Sequence, residues 1–498
     1  MPAGTIYLTF LGVLVLTLLP RAAARLARWI ALATATGGFL LTLGVAATYF
    51  ADASVTTMVN VPWIKSLGIH YHLGFDGISL TLLLLNGLVA IAGVLFSWNV
   101  EHRAKEFFAF YLALIGGVYG VFLSFDAFLL FVFYELAIIP KYFLIAIWGS
   151  TRKEYGAMKL VLYSFVGSAM VLIGLIAAYV VAQSQTGVAT FSLLELAKVK
   201  FPPGFQYWAF PLVFTGFAIL AGMWPFHTWA PTGHVAAPTA ASLLLAGVVM
   251  KLGAYGCLRV AMPLFPLGFL AWRETFAVLA VIGIVYGATV ALVQKDFKFV
   301  IGYSSVSHMG FVLLGLMTLN LTGLSGAVLQ MFSHGVIAGL LFAVVGRMVY
   351  DRTHTRDFDD LEGLGLGKAM PFAAVTFVLA GMASMGLPGF SGFVAELQVL
   401  IGAWHAFPTL AVITGVGIVL GVAYTLRALQ KAFFADAAPA GHAAEHPLEP
   451  ISAPERIGAM ILLAATIGVG LYPRLLLDLI QPALESPLFD GLRKGGVS

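Results

Sequence analysis

The 498 residues are 60% hydrophobic and 10% charged, with a mean hydropathy of +0.96 and a net charge of +4. Such a composition excludes a soluble globular protein, because lipid must be the solvent for most of the chain. The single cysteine, Cys257, excludes an internal iron–sulfur cluster or disulfide; without any glycine-rich phosphate-binding turn, nucleotides and nucleic acid are not expected partners.

Apolar runs bounded by charge, Gly or Pro predict helices near 4–20, 28–50, 77–98, 107–124, 126–148, 158–182 and 209–229. They continue near 235–258, 275–294, 299–319, 325–349, 370–403, 409–433 and 457–478. Each is long enough to cross about 30 Å of hydrocarbon, which predicts an all-α polytopic protein of about fourteen spans. The first run has no basic stretch before it and no small-residue cleavage site, so it reads as a retained helix. With the N-terminus outside, most of the 27 Lys and Arg residues fall in cytoplasmic loops, including Arg103, Arg152, Lys298 and Arg352. Lys65, Lys198, Lys200, Arg259, Arg273, Arg474, Arg493 and Lys494 fall outside, and Lys141 and Lys251 fall within spans. This asymmetry places both termini outside.

Span seven is interrupted by Pro225 and Pro231 in MWPFHTWAP, and span twelve by Gly386, Pro388 and Gly389 in MGLPGFSG. Proline removes a helical hydrogen bond, and breaks at mid-membrane are tolerated only where the bundle or water satisfies the freed backbone. The two breaks lie five spans apart, which predicts two inverted five-helix repeats with the working site near mid-membrane. The expected division is 1–100 for helices one to three, 101–260 for the first repeat, 261–435 for the second, and 436–498 for a cytoplasmic loop and helix fourteen. His442 and His446 in that loop read as solvated histidines, not a metal pair.

The ionisable groups inside the spans are few: Glu135, Lys141, Lys251, His308, His334 and Glu396, with His227 and His234 around the break in span seven. A charge at mid-membrane costs at least about 2.5 kcal/mol on insertion scales, so such groups pair inside the bundle or line water. Carboxylates, lysines and histidines that approach and separate can load and release protons. Two other readings stand beside this one. Glu135, Lys251 and Glu396 could form static ion pairs, and His227 and His234 could satisfy carbonyls freed by the break.

Several segments resemble, over nearly the whole chain, the antiporter-like membrane subunits of respiratory complex I, the chain-M type in particular. They include GFDGIS at 74–79, FYELAIIPKYFLIAIWG at 133–149, PFHTWAPTGHVAAPTAAS at 225–242 and LLAGVVMKLGAYGCLR at 244–259. QKDFKFVIGYSSVSHMGFVLLG at 294–315, the run from Gln330 to Leu364 and SMGLPGFSGFVAEL at 384–397 complete the set. The resemblance implies a proton-translocating subunit of NADH:quinone oxidoreductase in the bacterial inner membrane, packed among neighbouring antiporter-like chains. It also implies no cofactor in this chain, with FMN, iron–sulfur clusters and quinone held by partner subunits.

Carried over position by position, the resemblance makes Glu135 the glutamate of span five, Lys251 the central lysine of span eight and Glu396 the terminal glutamate of span twelve. His308 and His334 match the polar axis between the last two. One position departs: the lysine expected in span seven to pair with Glu135 is Leu220. Lys141, six residues along the helix from Glu135, is the obvious replacement. It sits some 120° off the glutamate's face unless Pro140 bends the helix, and it could equally snorkel to the cytoplasmic interface. The expected path therefore runs from Glu135 with Lys141 or Lys159 through Lys251, His334 and His308 to Glu396. The alternatives are a subunit of a multi-chain Na+/H+ antiporter or membrane-bound hydrogenase, or a complex I scaffold with reduced pumping.

Overall fold

The computed structural model describes residues 2–49, 52–435 and 448–494, so His442 and His446 lie outside the described residues. Twelve helices in it are long and apolar enough to cross a membrane, and two shorter apolar helices, Gly4–Leu18 and Pro371–Ser384, complete fourteen spans. Spans one to six are Gly4–Leu18, Ala24–Ala46, Gly77–Phe96, Ala104–Leu123, Ala127–Trp148 and Lys153–Thr186. Span seven is Pro203–Ala236, span eight Thr239–Leu264, span nine Pro266–Val293, span ten Phe297–Met317 and span eleven Leu321–Thr353. Span twelve comprises Pro371–Ser384 and Ser391–Ala406, span thirteen is Pro408–Phe434 and span fourteen Ala453–Leu471.

The repeats follow from this order. Five is odd, so spans four to eight start from one face and spans nine to thirteen from the other, giving inverted copies. Asp126 caps span five by accepting from Phe128 N and Leu129 N; Asp296 caps span ten in the same way through Lys298 N and Phe299 N. These carboxylates satisfy orphan N–H groups at the helix starts.

Spans seven and twelve are broken. The outer half of seven stops at Ala221, with Gly222 at φ +82°, and α-helix resumes at Trp229 after a 3-10 turn over Phe226–Thr228. Pro231 is not part of the break, contrary to the sequence expectation: it sits in the first turn of Trp229–Ala236, where its missing N–H has no partner to lose. In span twelve the gap runs from Met385 to Phe390, with Gly386 at φ +71° and Gly389 at φ +99°. Pro140, by contrast, does not end span five, which runs unbroken from Ala127 to Trp148.

Two elements escaped the hydropathy reading. Residues 56–75 form an antiparallel hairpin of β1 (Thr56–Ile64) and β2 (Ile69–Phe75), turning through Gly68 at φ +64°. After Tyr472, Pro473 separates span fourteen from an amphipathic helix, Arg474–Leu484, which the sequence reading had merged with it. The apolar face of that helix, Leu476, Leu477, Leu479 and Ile480, is buried. Gly77 is what lets it approach span three, because a Cβ there would meet Leu479 O at once.

Candidate functional site

Span eight is buried from Ala240 to Leu264 and carries Lys251 at its middle, entirely shielded. The helix widens to π form over Leu245–Val249 and again over Cys257–Ala261, on either side of the lysine. Such segments recur at functional sites. Lys251 Nζ donates to Ala246 O, within the first π segment, and lies 2.8 Å from His334 Nδ1 on span eleven. The two backbones cross closely there: a Cβ on Gly335 would meet Gly247 O at 2.5 Å, so only glycine permits this approach.

From His334 the polar line continues. Its ring stacks on that of His308 of span ten, with centroids 5.5 Å apart and planes at 27°. His308 Nδ1 lies 2.9 Å from Glu396 Oε1, and Gln330 Nε2 reaches the same oxygen at 3.3 Å. On the other side of the ring, His308 Nε2 meets Ser384 Oγ at 3.1 Å, at the end of the first half of span twelve. Glu396 itself is buried just beyond the break, and its Oε2 lies against Gly386. Four titratable side chains on four spans, Lys251, His334, His308 and Glu396, thus form one line at mid-membrane depth. Each nitrogen along it can donate or accept according to its proton, which is what a relay requires.

The first repeat is arranged differently. Glu135 Oε1 and Lys141 Nζ are both buried without a hydrogen-bond partner, and the two make no ion pair. The snorkelling alternative for Lys141 does not hold, because its side chain is 1% exposed and turned into the bundle. Leu220 is likewise buried, so no cation stands at that position of span seven. Lys159 Nζ reaches Thr232 Oγ1 at 3.3 Å, tying span six to the inner half of span seven. His234 is buried with both ring nitrogens unpartnered and so satisfies no carbonyl freed by the break; His227 is buried as well and makes no well-formed hydrogen bond, but its ring lies close to Pro225 O in the break.

Arg259 corrects the charge assignment. The sequence places it outside, whereas span eight extends to Leu264 and buries its guanidinium completely. It grips Asp76, the cap of span three, with Nη1 to Oδ2 at 2.6 Å and Nη2 to Oδ1 at 2.7 Å, and its Nε donates to Tyr255 OH at 3.2 Å. A planar guanidinium meets a carboxylate bidentately, which is how so large a charge is tolerated there. Lys298, expected in a loop, is also buried, inside the first turn of span ten.

The chain resembles known proteins over almost its full length. The profile of the family described as "NADH:quinone oxidoreductase/Mrp antiporter, TM" matches residues 124–421. NADH-quinone oxidoreductase subunit M of Rhodobacter capsulatus is 37% identical over 475 residues, covering 93% of this chain and 90% of that protein. The protein of the same name from Escherichia coli K12 is 36% identical over 495 residues, covering 96% of each. A chain of respiratory complex I from Thermus thermophilus superposes with a TM-score of 0.86 at 29% identity, covering 97% of this chain and 99% of that one. A chain of the Mrp complex from Dietzia sp. shares the fold, with a TM-score of 0.83 at 21% identity, covering 99% of each. The chain belongs to the NADH:quinone oxidoreductase/Mrp antiporter transmembrane family.

Proposed function

We propose that this chain is a proton-translocating membrane subunit of NADH:quinone oxidoreductase, of the chain-M type. It carries protons while flavin, iron–sulfur and quinone chemistry proceeds in partner subunits, and it contributes no redox centre of its own. The observation that carries this reading is the contact line Lys251, His334, His308, Glu396. In it Lys251 is the central carrier, the two histidines relay and Glu396 hands the proton toward the outer face. The gap between the two imidazole rings is crossed through water, whose bridging hydrogen bonds are nearly as favourable as direct ones. Glu135, with Lys141 and Lys159, stands on the input side. Residues 101–260 and 261–435 then serve as the two half-pathways, with 1–100 and 436–498 flanking them.

Identity above one third along more than nine-tenths of the chain favours this over the antiporter and hydrogenase readings. Gentle solubilisation and affinity capture of the tagged chain test it. The expected eluate contains bound FMN and iron–sulfur absorbance and, in vesicles, acidifies the lumen on NADH addition. Capture of small membrane chains alone, without redox centres, would sink the assignment.

A further inference from the structure

A cavity of about 280 Å³ opens between the inner ends of spans three and eleven and the inner starts of spans eight and ten. Its rim holds the exposed Asn99 and Asp351, its wall Ser150 and Thr239, and its depth the buried Ser97 and Lys298. The charge asymmetry assigns this face to the cytoplasm. The volume and polar lining suit several waters.

Lys298 Nζ donates to Ala237 O at 3.1 Å, the carbonyl just past the inner half of span seven. Three residues earlier on that helix stands His234, fully buried, with neither ring nitrogen bonded. The backbone carbonyl of His234 accepts from Ser242 Oγ of span eight at 2.8 Å, and the charges of both Lys298 and Lys251 bear on its ring. Unbonded buried imidazole nitrogens cost free energy, which a bridging water relieves.

We propose that this cavity is the cytoplasmic port from which Lys251 is loaded, with Lys298 as the group that takes the proton and His234 as the step between them. The inference rests on the relay reading above and deepens it. Lys298 passes one proton to His234 and regains one from the cytoplasm, relayed by cavity water that is itself left unchanged; His234 passes its proton to Lys251, which has delivered its own to His334. Charge is restored at every site. The route serves Lys251 itself, while Glu135, Lys141 and Lys159 keep the input side of the first repeat.

A purely structural Lys298 would act as a cation holding the carbonyl end of span seven, alongside Arg356, whose Nη1 donates to Val235 O at 3.2 Å. Arginine separates the two roles, since it keeps the charge and the donors but does not release a proton. In vesicles carrying the whole complex, Lys298→Arg and Lys298→Met should both lower protons pumped per NADH oxidised to the level of Lys251→Ala. Native pumping in Lys298→Arg, with pumping lost in Lys251→Ala, would overturn the port and leave the relay standing. Native pumping in both would overturn the relay itself. Access gives an independent readout. Cys257 is buried, so Asn99→Cys offers a water-soluble methanethiosulfonate reagent one thiol at the cavity mouth. Labelling should slow pumping relative to the same variant unlabelled, and unchanged pumping after complete labelling would count against the port.

Discussion

Lys251 Nζ and His334 Nδ1 approach to 2.8 Å across the interface of spans eight and eleven, with both side chains buried. An ammonium and an imidazole at this distance share a hydrogen bond only when the ring nitrogen is free to accept, so the proton count of one dictates that of the other. Lys251→Ala removes the carrier and leaves His334 Nδ1 unpaired. The expected result is an assembled complex that oxidises NADH with most of its pumping lost, read as lumenal acidification per NADH consumed. Full pumping in that variant removes Lys251 from the path.

At the far end of the line, Glu396 shares Oε1 between His308 and Gln330. Glu396→Gln preserves shape and some hydrogen bonding but cannot titrate, so the proton-to-electron ratio should fall while the amount of assembled complex stays near native. An unchanged ratio would dismiss the residue as an exit group.

Gly386 offers a companion test on the backbone. At φ +71°, any other residue costs about 1–2 kcal/mol, and an added Cβ would stand 2.9 Å from Glu396 Oε2. Gly389, at φ +99°, has nothing within 4 Å of such a Cβ. Gly386→Ala should therefore lower the proton ratio where Gly389→Ala, also strained at positive φ but clear of the carboxylate, does so far less. Equal effects would mean that strain in the break, and not pressure on Glu396, is what matters.

The fully buried Arg259–Asp76 pair makes a different prediction, about stability. Removing one partner of such a pair costs about 3–5 kcal/mol, because the other charge is left uncompensated. Asp76→Asn should lower the thermal midpoint of the complex in detergent and the yield of the chain in membranes. Adding Arg259→Met should recover part of both losses. A silent Asp76→Asn would show that the guanidinium finds other partners, Tyr255 and Ser79 being the nearest.

What the sequence made legible follows from physics that is local. Twenty apolar residues announce a span wherever they occur, and Pro225 and Pro388 mark breaks, although Pro140 shows that a proline alone does not end a span. Titratable residues within apolar runs announce themselves too, which is why Lys251, His308, His334 and Glu396 stand out in the sequence. Arg259 could not be read correctly, since its partner lies 183 residues away and a cation at the end of an apolar run looks like an interfacial anchor. Lys298 was hidden for the same reason. The hairpin of β1 and β2 lies in a connection whose mixed polarity lacks the clean alternation of a half-buried strand, and the π segments around Lys251 leave no compositional trace.

The missing lysine of span seven yields the last prediction. Leu220 packs tightly there: a Cβ on Gly253 of span eight would meet its carbonyl carbon at 3.0 Å. Span five touches the same part of span seven, with the rings of Tyr134 and Phe217 5.6 Å apart, one residue before Glu135 and three before Leu220. Lys141 is buried and inward-facing, as a substitute must be, yet it bonds to nothing, and neither does Glu135 Oε1. A buried ammonium without a hydrogen bond is costly even with Glu135 near enough to attract it, so nothing in packing alone explains its presence. If it serves the input side with Glu135, Lys141→Met should stabilise the chain by removing that cost while lowering pumping as much as Glu135→Gln does. Returning a lysine at the span-seven position, as Leu220→Lys in the Lys141→Met background, should then restore part of the pumping. A Lys141→Met variant that pumps normally would instead mean that the first repeat works without a lysine partner for Glu135, and that the buried ammonium plays no part in translocation.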